Sequence, residues 1–136
     1  MPVEDPIEIK KLLDEARVIA VVGHSDKPHR TSYSIGRYLR NAGYKVYAVN
    51  PTIDSVNGEP AYPNLAAVPE PIDIVDVFRR SEYLDKVVDE AIAVKAKAVW
   101  SQLGVIDDAA AKKAEAAGLK MVMDRCIKVD HAALIR

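Results

Sequence analysis

The sequence predicts an α/β domain built on a doubly wound parallel sheet of about five to six strands, with helices on both faces. Three observations carry this. Short, largely apolar runs recur at Val18–Val22, Ile72–Phe78 and Leu119–Met123, as expected of strands buried on both faces. Segments of about 10 to 14 residues with apolar side chains at helical spacing lie between such runs. The two patterns alternate, which implies right-handed βαβ units.

Asp5-Pro6 marks a helix start, and Ile9, Leu12, Leu13 and Ala16 follow at helical spacing. Val18–Val22 closes on Gly23 and makes the first strand. Thr31 or Ser32 caps a helix bearing Ile35, Tyr38, Leu39 and Ala42, and Gly43 supplies its left-handed stop. Lys45–Asn50 forms a second strand, and Asn57-Gly58 turns the chain into an edge strand near Ala61-Tyr62. Ile72–Phe78 is a further buried strand, after which Ser81 caps a helix with Leu84, Val87, Val88 and Ala91. Ala98–Trp100 is a short strand, Asp107 or Asp108 caps an alanine-rich helix closed by Gly118, and Leu119–Met123 precedes a helix over Ile127–Leu134. Together these elements describe one Rossmann-like domain over residues 1–136, with Trp100 and Tyr38 in its core.

Composition narrows the function classes. With 136 residues, 49% hydrophobic and 29% charged, the chain is an ordinary globular one, able to bury roughly two-thirds of its unfolded surface. Nineteen basic and 20 acidic side chains leave a net charge of −1, so no global field draws nucleic acid or an anionic membrane. Cys126 is the one cysteine, which excludes an intrachain disulfide and a thiolate-rich metal centre. No stretch approaches the ~18 apolar residues of a membrane span, and the start lacks a signal-peptide run. The expected location is cytoplasmic.

Ligands of doubly wound sheets bind beyond the carboxyl ends of the strands. There this sequence places Gly23 to Arg30, Asn50-Pro51, Arg79-Arg80, Ser101 to Gly104 and Asp124 to Cys126. Lys27, Arg30, Arg79, Arg80 and Arg125 form a basic rim in a chain of near-zero charge, which suits a polyanion. Gly23 permits a tight turn and close approach of a phosphate to the following helix start, though any βα turn favours glycine. Ser25, Thr31 and Ser32 add hydroxyls, and Tyr33 stands beside the loop. The full G-x-G-x-x-G fingerprint is absent, and Asn50-Pro51 stands where a dinucleotide fold wants an acid for the ribose, so NAD is the weaker alternative. A receiver-type site is excluded because its one candidate acid, Asp26, sits among Lys27, His29 and Arg30.

In order, the segments GHSDKPHRTSYSIGRYLRNAGYKVYAVNP, DIVDVFRRSE, WSQLGV and MVMDRCIKVDH resemble the coenzyme A-binding domain family of small stand-alone proteins, itself similar to the amino-terminal domain of the succinyl-CoA synthetase α subunit. The resemblance runs across nearly the whole chain and implies coenzyme A or an acyl-CoA as ligand. It implies that the loop Gly23, His24, Ser25 to Lys27 cradles the pyrophosphate with Ser32 donating to it, and that Asn50 and Pro51 line the adenosine end. It further implies that Phe78, Arg79 and Arg80 flank the departing pantetheine arm, and that Gln102, Leu103 and Gly104 border the thiol. The synthetase carries its phosphorylated histidine in a second domain that this chain lacks. His24 and His29 are read as surface or phosphate-contacting residues, and no catalytic residue is assigned. Cys126 is either a small packed residue at a helix start or, beside Arg125, a thiol that exchanges with that of coenzyme A. The expectation is a non-catalytic carrier, sensor or partner subunit; the alternative is a component of an acyl-CoA ligase or transferase working with a separate catalytic chain. A protein partner or homo-oligomer fits either.

Overall fold

The computed structural model describes residues 2–135. The chain runs α1 (Pro6–Glu15), β1 (Val18–Val22), α2 (Thr31–Asn41), β2 (Lys45–Val49), β3 (Ser55–Val56), β4 (Glu59–Tyr62), a 3-10 turn (Leu65–Ala67), β5 (Ile74–Val77), α3 (Ser81–Ala93), β6 (Ala98–Ser101), α4 (Asp108–Ala116), β7 (Lys120–Val122) and α5 (Ile127–Leu134). The seven strands form one sheet in the order β3-β4-β2-β1-β5-β6-β7, parallel throughout except for the β3–β4 hairpin. That hairpin accounts for the strands beyond the expected five to six. It also corrects the expected edge: β4 pairs in parallel with β2, and the outer strand is β3. Asn57, at φ 50°, and Gly58, at φ 84°, supply the two left-handed residues that such a tight turn demands.

Period-two burial splits the core. Ile19, Val21, Ile74, Ala98, Trp100 and Val122 face α1, α2 and α5 through Ile9, Leu13, Ile35, Leu39 and Ile127. Ala20, Val22, Val75, Val77, Val99 and Met121 face α3 and α4 through Leu84, Val87, Val88, Ala91 and a run of small residues, Ala110, Ala111 and Ala114. Each large aliphatic side chain so buried contributes about 1.5–3 kcal/mol of transfer free energy. The alanines let α4 lie close, and Lys113 bridges it to Asp85 and Asp89 of α3, at 2.6 Å each. Trp100 is fully buried, and its indole N–H donates to the Arg125 carbonyl at 2.8 Å.

Among the described residues one buried side chain is left unpartnered. Asp76, on β5 between Val21 and Trp100 in register, is fully buried and neither carboxylate oxygen has a hydrogen-bond partner. Burial pushes its pKa well above the usual carboxylate range.

The topology fixes where a ligand can sit. β1 and β5 are neighbours, yet α2 follows β1 on one face and α3 follows β5 on the other. The chain parts at their carboxyl ends and leaves a crevice.

Candidate functional site

A cleft of about 700 Å³ opens at that switch point. Gly23, Ser25, Lys27, Arg30, Ser32, Asn50 and Phe78, all singled out in the sequence, line it together. Gly23 is required on two counts. Its φ is 87°, and a Cβ there would meet the Phe78 carbonyl oxygen at 2.4 Å. The turn can therefore press against the end of β5 only without a side chain.

The loop after Gly23 is held from within. The Ser25 N–H donates to Ser32 Oγ at 2.9 Å, and the Lys27 N–H donates to Ser25 Oγ at 3.0 Å. Asn50 Nδ2 donates to the His24 carbonyl at 3.0 Å, while its Oδ1 accepts from the N–H and hydroxyl of Thr52. Asn50 thereby clips the loop after β1 to the loop after β2.

His24 departs from its expectation as a surface or phosphate-contacting side chain: it is fully buried. Nδ1 lies 2.8 Å from the Ser25 carbonyl and Nε2 lies 3.0 Å from the Arg40 guanidinium. Its ring fits under α2 because residue 36 is glycine; a Cβ there would sit 2.3 Å from Nε2. Burial, opposed by the bond to Ser25 and helped by Arg40, lowers its pKa to about 4, so the ring is neutral at pH 7 and only its backbone belongs to the loop surface.

The entrance to α2 is the polar feature of the cleft. Neither Thr31 nor Ser32 caps this helix as expected. Its N-cap is Arg30, which makes no side-chain cap, because a guanidinium has no acceptor to offer; Ser32 lies inside the helix, where its hydroxyl accepts from the Ser25 N–H. Among the described residues no protein acceptor meets the N–H groups of Thr31, Ser32 and Tyr33. These three donors sit at the positive end of the helix dipole between exposed Lys27 and Arg30. α4, by contrast, is capped by Asp107. Thr52 and Ile53 also line the cleft. The sequence reading passed over both, although their position just after Asn50-Pro51 was the available signal.

The remaining candidates do not line this cleft, although the Arg79 side chain passes close to Gly23. Tyr33 accepts from Asn57 Nδ2 at 2.8 Å and so braces the β3–β4 turn. Arg79 stacks over the Tyr83 ring at 4.6 Å, and Arg80 pairs with Glu82 at 3.7 Å. Ser81 does not cap α3; Arg80 is its N-cap, and the Ser81 hydroxyl instead donates to the Gly104 carbonyl and accepts from the Ile106 N–H. Gln102 turns inward, where its Oε1 accepts from the Ile127 N–H at 3.3 Å. Leu103 is exposed, and the Gly104 N–H donates to Asp124 at 2.7 Å. Pro51 is exposed at the end of β2. Arg125 is not a free cation of the rim, because Asp130 binds it through two hydrogen bonds of 2.7 and 2.8 Å and raises its pKa. Cys126 is half-buried at the N-cap of α5, packed against the α1–α2–α5 face of the core. Among the described residues no group of three or more His, Cys, Asp or Glu side chains gathers as a metal would require, and no helix is long and apolar enough to cross a membrane.

The chain is similar to known proteins over most of its length. Residues 17–132 match the family described as CoA binding domain. The uncharacterized protein YneT of Bacillus subtilis is 44% identical over 125 residues, 92% of this chain and 93% of that one. The ADP-forming acetate–CoA ligase I of Archaeoglobus fulgidus is 29% identical over 121 residues, which are 82% of this chain and 18% of the ligase. A hypothetical protein from Pyrococcus horikoshii superposes with a TM-score of 0.95 at 36% identity, over 100% of this chain and 97% of that structure.

Proposed function

The chain belongs to the CoA binding domain family, and on that premise we propose that it binds coenzyme A or an acyl-CoA in the cleft at the carboxyl ends of β1 and β5, with no chemistry of its own. The observation that carries this reading is the uncapped start of α2, where Thr31 and Ser32 line the cleft beside Lys27 and Arg30 and their N–H groups have no protein acceptor among the described residues. A pyrophosphate takes such donors without any side chain having to move. The apolar surface of Phe78 and Ile53 in the same cleft suits the less polar parts of the ligand. The proposed contacts are Gly23, the Ser25 to Lys27 backbone, Arg30, Ser32, Asn50 and Phe78. Arg79, Leu103 and Gly104 lie further along the rim, where the arm of the cofactor would run.

A thermal-shift series with coenzyme A, dephospho-coenzyme A and NAD at equal concentration tests the proposal. A bound ligand stabilises in proportion to the logarithm of one plus the ratio of its concentration to Kd, about 2.7 kcal/mol at a hundredfold excess over Kd. Coenzyme A should raise Tm most and NAD least. Equal shifts for NAD and coenzyme A would overturn the reading. A second reading, a binding subunit that works with a separate catalytic chain, draws on the small fraction of the archaeal ligase that this chain matches. Co-purification of a ligase or transferase activity that the isolated chain lacks would favour it.

A further inference from the structure

A second cavity, of about 540 Å³, lies at the opposite end of the sheet, over the amino ends of β5, β6 and β7. It is separated from the cleft by a strand length, on the order of 15 Å. The C-terminal ends of α1, α3 and α4 converge around it. Its floor is apolar: Val3 and Leu12 close one side, and Ile92, Ala96 and Leu119 the other. Its volume falls in the range of about 300–1,000 Å³ in which small-molecule sites lie.

The charges around this floor are unevenly spent. Asp73, at the mouth of β5, is satisfied by the N–H groups of Arg17 and Val18 at 2.8 and 2.9 Å and by Lys97 at 3.3 Å, and these contacts hold its carboxyl below the usual carboxylate range against the opposing effect of burial. Glu8 and Glu15 belong to the α1 wall. Lys11, Lys95 and Lys120 have no ion-pair partner among the described residues. Their ammonium groups also make no hydrogen bond to the helix-end carbonyls nearby. Lys95 and Lys120 stand just past the ends of α3 and α4, beside Lys97, whereas the α1 wall carries Glu8 and Glu15 with Lys11 between them. Among the described residues no arginine lines it. Lysine offers a compact point charge and not the planar fork that favours phosphate.

The geometry points to a second ligand site at this groove, for a small amphipathic carboxylate whose apolar body lies on Leu12, Ile92, Ala96 and Leu119 and whose head meets Lys95 and Lys120. The site is independent of coenzyme A.

The probe is octanoate, with octanol and octylamine as charge controls, followed by 15N–1H chemical shifts and thermal shift on the full chain. Octanoate should bind saturably at about 1 mM or below, moving the amides of Lys95 to Lys97 and of Leu119 and Lys120. Both controls should bind at least about tenfold more weakly. Two variants at exposed positions separate charge from space. Lys95→Glu with Lys120→Glu should weaken octanoate about tenfold, and Ala117→Trp should block it by filling the groove. Both variants should keep the wild-type response to coenzyme A, and only the double charge reversal, which sets anions near two helix C-termini, should lower the melting temperature slightly, so that failure here and failure of the cofactor reading are read separately. The inference is overturned if octanoate does not saturate, if its shifts fall on Lys27 to Ser32, if octylamine binds as well, or if the groove proves to be the contact of a concentration-dependent dimer.

Discussion

Arg40 donates to Nε2 of His24 across 3.0 Å, and the direction of that bond fixes the histidine. A guanidinium has no acceptor, so Nε2 must carry the lone pair, and Nδ1 carries the proton that it donates to the Ser25 carbonyl at 2.8 Å. One neutral tautomer thus shapes the loop beside the cleft.

That arrangement makes the fold sensitive to acid. The pKa of His24 is lowered from 6.5 to about 4, so below pH 6.5 the unfolded chain takes up a proton that the folded chain refuses. Its contribution is fully present above pH 6.5 and is lost as pH falls toward 4, by up to on the order of 3 kcal/mol. Urea midpoints measured across this window should fall for the wild type and should fall less steeply for His24→Gln. Parallel slopes for the two proteins would refute the assignment.

Gly36 should resist the usual stabilising replacement. In a helix interior, glycine to alanine gains about 1 kcal/mol, but here the added Cβ would stand 2.3 Å from His24 Nε2 and 3.0 Å from Cδ2. Gly36→Ala is expected to lose roughly 1–3 kcal/mol, as overpacked cores do. In His24→Ala the same change should recover most of that loss. A double-mutant cycle measures the coupling directly, and additive effects would show that the two residues do not compete for space.

This pair also marks where sequence reading reached its limit. The strands and helices were legible because their periods of 2 and 3.6 are written in consecutive residues, and α5 matches its expected bounds of Ile127–Leu134. The β3 strand was not, because two residues display no period. Ser32 and Ser81 looked like caps because their spacing allowed it, yet the Ser32 hydroxyl accepts from Ser25, seven residues earlier, and that of Ser81 donates to Gly104, 23 residues later. The burial of His24 depends on a glycine twelve residues later and an arginine sixteen residues later. A lone glycine inside a helical pattern was its only trace. In the cleft, the residues adjacent to strand ends were readable. Which of the five rim cations stay free was not, since Asp130 claims Arg125 and the Tyr83 ring holds Arg79.

Asp76 should prove a source of instability. Its carboxyl has no partner among the described residues, and its raised pKa means that the folded chain holds a proton the unfolded chain releases above about pH 4. The sign is opposite to that of His24: stability is lost as pH rises from the unfolded pKa toward the raised folded value. Asp76→Val, close in size and apolar, is expected to gain on the order of 1–3 kcal/mol at pH 7 by removing a buried unsatisfied group. The gain should shrink as pH is lowered toward 4. A destabilised variant, or a gain independent of pH, would mean that Asp76 has a partner in solution.

Lys27 and Arg30 should carry the anion affinity of the cleft, and Arg79 much less. The first two line it beside the free N–H groups of α2, whereas Arg79 is stacked on Tyr83. Hydrogen bonds to charged groups contribute about 1.5–3 kcal/mol, so Lys27→Ala or Arg30→Ala should weaken coenzyme A about tenfold or more, and Arg79→Ala less. Both exposed substitutions leave the core untouched, so Tm without ligand should not move. Raising salt should narrow the gap between wild type and variant, because screening acts on the charge that each variant lacks. Titration calorimetry at two ionic strengths decides it: unchanged affinity in both Lys27→Ala and Arg30→Ala would place the phosphates elsewhere on the rim.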